Sequence, residues 1–193
     1  MAETRRIMVA LSGASGMVYA KRLIEVLPSA YETIYLTASD NAVAIAQQEL
    51  GIGSLAEMLP QQTEADLRLL ESDDMFAPPA SGSHEYDGMV IVPCSMGVVG
   101  RIAAGVSNDL TTRAADVCLK ERRKLILVVR ETPYNLIQLR NMTALTEAGA
   151  VILPASPAFY NKPGLIGDLV DFVVDRILRL LGTDIRLGEG WDE

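Results

Sequence analysis

The run Ile7-Met8-Val9-Ala10-Leu11 stops at Ser12-Gly13-Ala14-Ser15-Gly16, after which apolar residues recur at Met17, Ala20, Leu23, Ile24 and Leu27. Five apolar residues bounded by small polar ones read as a buried strand, and the three-and-four spacing beyond reads as a helix. Small residues in such a turn let backbone N–H groups approach an anion where the helix dipole favours negative charge. A tight βα connection needs the same residues, and a lone G-x-x-G does not separate the two. The G-x-G-x-x-G dinucleotide fingerprint and the G-x-x-x-x-G-K-[ST] loop are both absent, which counts against NAD and ATP.

The pattern repeats outward from this unit. Ile34-Tyr35-Leu36-Thr37 leads into a helix with Ser39 placed as its N-cap, and Met89-Val90-Ile91-Val92 stops at Pro93-Cys94-Ser95 before a helix near Met96. Ser107-Asn108-Asp109 caps a helix to about Arg122. Leu125–Val129 is a further strand, Asn135–Ala148 a helix and Val151–Leu153 the last strand. Leu165–Leu181 reads as an amphipathic helix with Leu165, Leu169, Phe172, Val173, Ile177 and Leu180 on one face. Residues 51–88 are the least regular; they suggest a short helix around Ala65–Leu70 and a long functional loop. Five strands alternating with helices predict an α/β fold: a doubly wound, mainly parallel sheet in a Rossmann- or flavodoxin-like three-layer sandwich. One domain over 1–193 is expected, with the helix and tail at 165–193 packing on a neighbour or covering the site. Ligands of such sheets bind outside the carboxyl ends of the strands.

Composition narrows the function. Hydrophobic residues make up 49% of the 193 and aromatics 5%, so the core is built from aliphatic side chains, as in sheets covered on both faces. A net charge of -8 argues against a nucleic-acid partner, which would demand clustered Lys and Arg. Cys94 and Cys118 form no disulfide framework or CxxC pattern, and a single histidine, His84, excludes a His-rich metal site; no metal is expected. The first residues lack a secretory h-region and no run reaches the roughly 18 apolar residues of a membrane span, so a cytoplasmic protein without a membrane partner is expected.

The polar residues that matter fall at strand ends. Ser39 offers a hydroxyl to an anion, although an N-cap alone accounts for it. Ser95 and Met96 offer a hydroxyl and helix-start amides. Arg130-Glu131 emerges after a five-residue apolar strand, either as a ligand-binding guanidinium or as a self-satisfied ion pair. Lys120 stands seven residues after Arg113 and three before Arg123, so the three can share one face.

Taken together, SGASG at 12–16, TASDNA at 37–42, APPASGS at 77–83, DGMVIVPCSMG at 87–97, DLTTRAADVCLKERRKL at 109–125, VVRETP at 128–133 and PAFYNKP at 157–163 resemble the UbiX family of flavin prenyltransferases. These segments span nearly the whole chain in order. The resemblance implies transfer of a dimethylallyl group from dimethylallyl monophosphate to reduced FMN, forming bonds to N5 and C6. The product, prenylated FMN, would serve a UbiD-type decarboxylase in a pathway such as ubiquinone biosynthesis. It also implies a homo-oligomer, a dodecamer, with sites at subunit contacts.

Carried over residue by residue, the resemblance implies that Gly13, Ala14, Ser15, Ser39, Ser95, Met96, Gly97, Val98 and Arg130 bind FMN. Lys120, Tyr160 and Arg176 would hold the donor phosphate, where charge develops as the allylic bond breaks. Trp191 would cover the allyl group. Ser15, Glu49, Arg113, Lys120 and Glu131 are the implied catalytic residues. Val98 replaces a hydroxyl residue at its turn, and His84 stands where an aromatic is more usual. Two alternatives remain: an FMN-dependent cysteine decarboxylase of the phosphopantothenoylcysteine type, which needs an active-site histidine, and a non-catalytic FMN carrier, indifferent to Lys120, Tyr160 and Arg176.

Overall fold

The computed structural model describes residues 5–188. Its strands are β1 (Arg6–Leu11), β2 (Thr33–Ala38), β3 (Asp66–Leu69), β4 (Gly88–Cys94), β5 (Lys124–Val129) and β6 (Val151–Pro154). Its α-helices are α1 (Met17–Val26), α2 (Asp40–Leu50), α3 (Met96–Ala103), α4 (Leu110–Lys120), α5 (Leu136–Glu147) and α6 (Ile166–Leu181). All strand pairs are parallel, in the order β3-β2-β1-β4-β5-β6. The doubly wound sheet is therefore as expected, with one strand more than the sequence indicated.

Alternation along each strand builds two cores. Ile7, Val9 and Leu11 of β1, Val90 and Val92 of β4, and Ile126 and Val128 of β5 face a layer that includes α1 and α6. Met8 and Ala10, Met89 and Ile91, and Leu125, Leu127 and Val129 face the other layer, with α3, α4 and α5. Both faces are dry, which is why these strands read as unbroken apolar runs. Helix starts follow their caps: Ser39 accepts from the Ala42 amide, Ser95 from that of Val98, and Asp109 and Asn135 each form a capping box.

The segment expected to be a helix at Ala65–Leu70 is strand β3, in register with β2 from Thr33↔Asp66 to Leu36↔Leu69. It is an edge strand, and Leu69 is 45% exposed. Its apolar content was too low for a buried strand, and pairing with β2 decided its conformation. The helix expected from Leu165 is α6; of the face the sequence assigned, Val173 and Ile177 are buried in the core, joined by Val170, Val174 and Leu178, while Leu165 is 73% exposed.

Gly88 opens β4 opposite Lys124 of β5. A Cβ there would stand 2.6 Å from the Lys124 carbonyl oxygen, a backbone atom that cannot swing aside. Gly88→Ala is expected to cost about 1–3 kcal/mol, read as a lowered urea midpoint with unchanged slope. A midpoint equal to that of the unchanged chain would show that β4 and β5 separate freely at this end.

Candidate functional site

Strand order reverses between β1 and β4, so the chain leaves these neighbours toward opposite faces and a crevice opens between the outgoing loops. Ser12 ties its two sides together. Buried at 2% exposure, its hydroxyl donates to the Pro93 carbonyl at 2.9 Å and accepts from the Ser95 amide at 2.8 Å. The adjoining loops are anchored likewise: the Ser39 amide donates to the Leu11 carbonyl at 3.1 Å and the Arg130 amide to the Cys94 carbonyl at 3.3 Å. Gly13, Ala14, Ser15, Ser39, Ser95 and Arg130 thus gather at one carboxyl edge. Ser39 and Ser95 each accept an amide hydrogen through Oγ, which leaves each O–H proton to donate elsewhere.

The start of α1 holds an anion supplied by the chain. Gly16 adopts φ 107°, and the amides of Gly16 and Met17 donate to the Glu49 carboxylate, at 3.0 and 2.9 Å to Oε2. Of the two readings the sequence left open for this turn, a phosphate cradle and a tight βα connection, the Gly16 and Met17 amides favour the second, since both serve Glu49. Burial alone would raise the Glu49 pKa, but hydrogen bonds from Ser15, Met17 and Gly16 and the charge of Arg130 outweigh it and hold the carboxyl below its ordinary value. Ser15, Glu49 and Arg130 consequently form one cluster. Because Ser39 before α2 is anchored to β1, and Glu49 near its far end to α1, α2 lies along the carboxyl edge instead of returning down the sheet.

Arg130 does not pair with the adjacent Glu131, whose carboxylate accepts instead from the Thr132 amide at 3.0 Å. Its Nε–H is buried and finds no acceptor. Such a donor is costly to leave unmade and marks a place for a ligand acceptor. Met96 and Val98 pack into the core beneath α3, with Gly97 on the same turn, so the Val98 departure is filled as a core position.

Tyr160 and Arg176 do come together, in a second cleft of about 460 Å³ on the outer side of α6. Tyr160 meets the Phe172 ring edge-on, with centroids 6.1 Å apart. The acids lining this cleft are engaged: Asp171 with Arg22 at 2.6 Å, Asp175 with Arg179 at 2.6 Å, and Asp168 with the amides of Gly164 and Leu165. Arg176 has no ion-pair partner among the described residues.

Lys120 is elsewhere. It ends α4 just before β5, paired with Glu121 and close to Gly82, and so lies at the amino edge of the sheet. Six residues of strand separate that edge from the Ser15 cluster, about 20 Å. Arg113 sits one turn into α4, with its guanidinium on the Ala80 carbonyl and Asp116. Arg123 lies past the helix over the Tyr86 ring. His84, before β4 and also on the amino side, bonds the Tyr35 hydroxyl at 2.8 Å. Trp191 lies outside the described residues.

Two residues at this site escaped the sequence reading. Ser12 looked like part of a generic turn, and only its cross-strand bonds show its role. Asn41, in the first turn of α2, comes so close to Gly13 that a Cβ there would stand 2.8 Å from the Asn41 Cβ. The glycine thus serves packing as well as any ligand.

The family described as Flavoprotein matches residues 1–178. The flavin prenyltransferase UbiX of Methanocaldococcus jannaschii is 46% identical over 186 residues, covering 96% of this chain and 98% of the relative. The chain belongs to the UbiX flavin prenyltransferase family. A solved structure of AnUbiX (PadA1) in complex with FMN and dimethylallyl pyrophosphate superimposes with a TM-score of 0.90 at 42% identity, covering 99% of each chain. A dodecameric FMN-dependent UbiX-like decarboxylase from Escherichia coli O157:H7 matches with a TM-score of 0.88 at 36% identity, over 96% of this chain and 98% of its own. In this UbiX-family chain, among the described residues, no group of His, Cys, Asp and Glu could hold a metal ion, and no helix is long and apolar enough to cross a membrane.

Because the folded pKa of Glu49 lies below the unfolded value, its stabilisation is complete above the ordinary 4.5 and is lost as pH falls through the lowered folded value. Glu49→Gln is expected to cost about 0.3–1 kcal/mol at pH 7. The gap between variant and unchanged chain should close as the pH is taken below 4.5, followed by denaturant titration at each pH. A gap independent of pH would mean that the carboxylate charge contributes nothing at the α1 start.

Proposed function

We propose that the chain transfers a dimethylallyl group from dimethylallyl monophosphate to reduced FMN and passes the prenylated FMN to a UbiD-type decarboxylase. The observation that carries this reading is the buried, unpartnered Nε–H of Arg130 beside Ser15 and Glu49 at the reversal of strand order. FMN fits this crevice: its phosphate and ring acceptors answer the Arg130 donor and the hydroxyl protons of Ser39 and Ser95. The amides around Gly13 and Ser15 line the same edge. Bound and reduced, FMN would supply the nucleophilic N5 and C6.

The chain's own residues do the rest. Glu49, kept ionised, accepts a hydrogen bond from the Ser15 hydroxyl and fixes that side chain's orientation. Tyr160 and Arg176 would bind the donor phosphate, and the cation stabilises the charge that grows on the leaving oxygen. Glu131 stands next to Arg130 as a carboxylate not consumed by it. Lys120, on the far edge of its own sheet, would serve the crevice of another copy, together with Arg113 on the same helix. This division fits a homo-oligomer, and the dodecameric relative supports one. Cys94 and Cys118 are both free and buried, in keeping with a cytoplasmic setting. A decarboxylase of the phosphopantothenoylcysteine type is disfavoured, because the single histidine is bound to Tyr35 away from the crevice.

Anaerobic incubation with reduced FMN and dimethylallyl monophosphate is expected to yield a flavin heavier by one dimethylallyl unit in mass spectrometry. No mass change with any prenyl donor would reject the activity. Lys120→Ala and Arg130→Ala are each expected to lose activity by about a hundredfold or more, on the scale of losing one transition-state charge contact. Co-expression of the two should restore part of it, since some sites would draw intact Lys120 and Arg130 from different copies. Mixed assemblies as inactive as either parent would show that the residues are not shared between chains.

A further inference from the structure

The chain does not simply leave α6 at its end. Gly182 caps the helix in the left-handed region at φ 72°, and Thr183, 2% exposed, returns both its amide and its hydroxyl to the Leu178 carbonyl. From there residues 184–188 run back along the helix, with Ile185 and Leu187 packed against the core. Arg186 donates to the carbonyls of Thr183 and Ile185, each at 2.7 Å. The Leu187 amide reaches Asp175 Oδ1 at 3.0 Å. Asp175 lies six residues inside the helix end, about 9 Å along its axis, so this bond fixes the reversed direction.

Asp175 is an unusual anchor. It is a carboxylate only 6% exposed, on the side of α6 that carries Asp168, Asp171 and Arg179 along the cleft. Its oxygens are divided: Oδ2 accepts from Arg179 at 2.6 Å and Oδ1 from the Leu187 amide. A buried carboxylate is retained at a cost that an apolar residue would avoid, so its partners are the reason for it. Leu187 and Gly188 line the same cleft as Tyr160 and Arg176. Remove the bond to Leu187, and that cleft loses a wall.

We propose that Asp175 is a positioning residue: by holding the Leu187 amide it fixes residues 184–188 as a wall of the Tyr160–Arg176 cleft, and so sets the affinity for the prenyl donor. The inference rests on the reading above that this cleft takes the donor phosphate. Asp175 has both oxygens engaged, by Arg179 and by the Leu187 amide, and acts through them. It keeps Leu187 against the cleft in which Arg176 presents its charge to the phosphate.

Two readouts test it on the full chain. Trypsin cleavage after Arg186 reports release of the segment whether or not any transfer occurs. Asp175→Ala is expected to speed that cleavage about tenfold, with cleavage elsewhere in the chain unchanged, because the segment then opens without global unfolding. The same variant should raise KM for dimethylallyl monophosphate about tenfold with kcat within about twofold, the signature of lost binding shared by ground and transition states. Asp175→Asn keeps an oxygen for the Leu187 amide and should rescue both readouts to within about threefold. If Asp175→Ala does not fold, Asp175→Leu fills a similar volume without an acceptor and should give the same two shifts.

Unchanged cleavage after Arg186 would overturn the anchoring. Faster cleavage with unchanged KM would overturn the link to the donor. An Asp175→Asn variant as impaired as Asp175→Ala would assign the effect to the Arg179 pair and also overturn the proposal. Were the unchanged chain to transfer no prenyl group at all, the activity would fall, while the cleavage comparison would still decide whether Asp175 holds the segment.

Discussion

Everything at the carboxyl edge depends on the Ser12 hydroxyl spanning β1 and β4. These two strands lie side by side, yet their chains depart to opposite faces, so no continuing helix closes the gap between the loops that follow. A single buried oxygen, donating to Pro93 and accepting from Ser95, keeps the two turns in register where sheet hydrogen bonding has ended. Ser15 hangs from one of these turns and the cap of α3 from the other. The Leu11–Ser39 and Cys94–Arg130 backbone bonds extend the same bracing to the outer strands. Side chains drawn from four strand ends can then converge without any being strained.

The second constraint is the thickness of the sheet. A parallel strand carries its two ends to opposite edges, and the helix that follows brings the chain back. Residues at a helix end such as Lys120 are therefore separated by the strand's length from residues at a strand end such as Arg130. Chemistry that needs both cannot be built in one copy of this fold. Tyr160 and Arg176 come together by another route, because the loop after β6 folds back onto the side of α6 and meets Arg176 there.

Much of this was legible in the sequence, for identifiable reasons. The buried strands β1, β4 and β5 announce themselves because both their faces are dry, and the caps Ser39, Ser95, Asp109 and Asn135 mark helix starts by hydrogen bonds made within three residues. β3 was illegible because its stability comes from β2 and its outer side faces water. The site was legible as a set of residues but not as a place. Nothing in the spacing of Glu49 shows that α2 crosses the edge to bring it onto Gly16, and nothing around Lys120 shows on which side of the sheet a helix end will fall. Contacts such as Asp175 to Leu187 depend on the chain reversing after Gly182, which local pattern does not encode.

The carboxylate seated on the α1 start has a consequence for orientation. An exposed helix N-terminus ordinarily welcomes any anion, but here the positive end of the dipole is already neutralised from within, and a second negative group would meet repulsion. The turn from Gly13 to Gly16 thus becomes a polar but charge-balanced floor, suited to a flat uncharged ring rather than to a phosphate tail. An elongated ligand entering this crevice would be sorted end from end by that difference, with its anionic terminus kept off the Gly13–Gly16 turn.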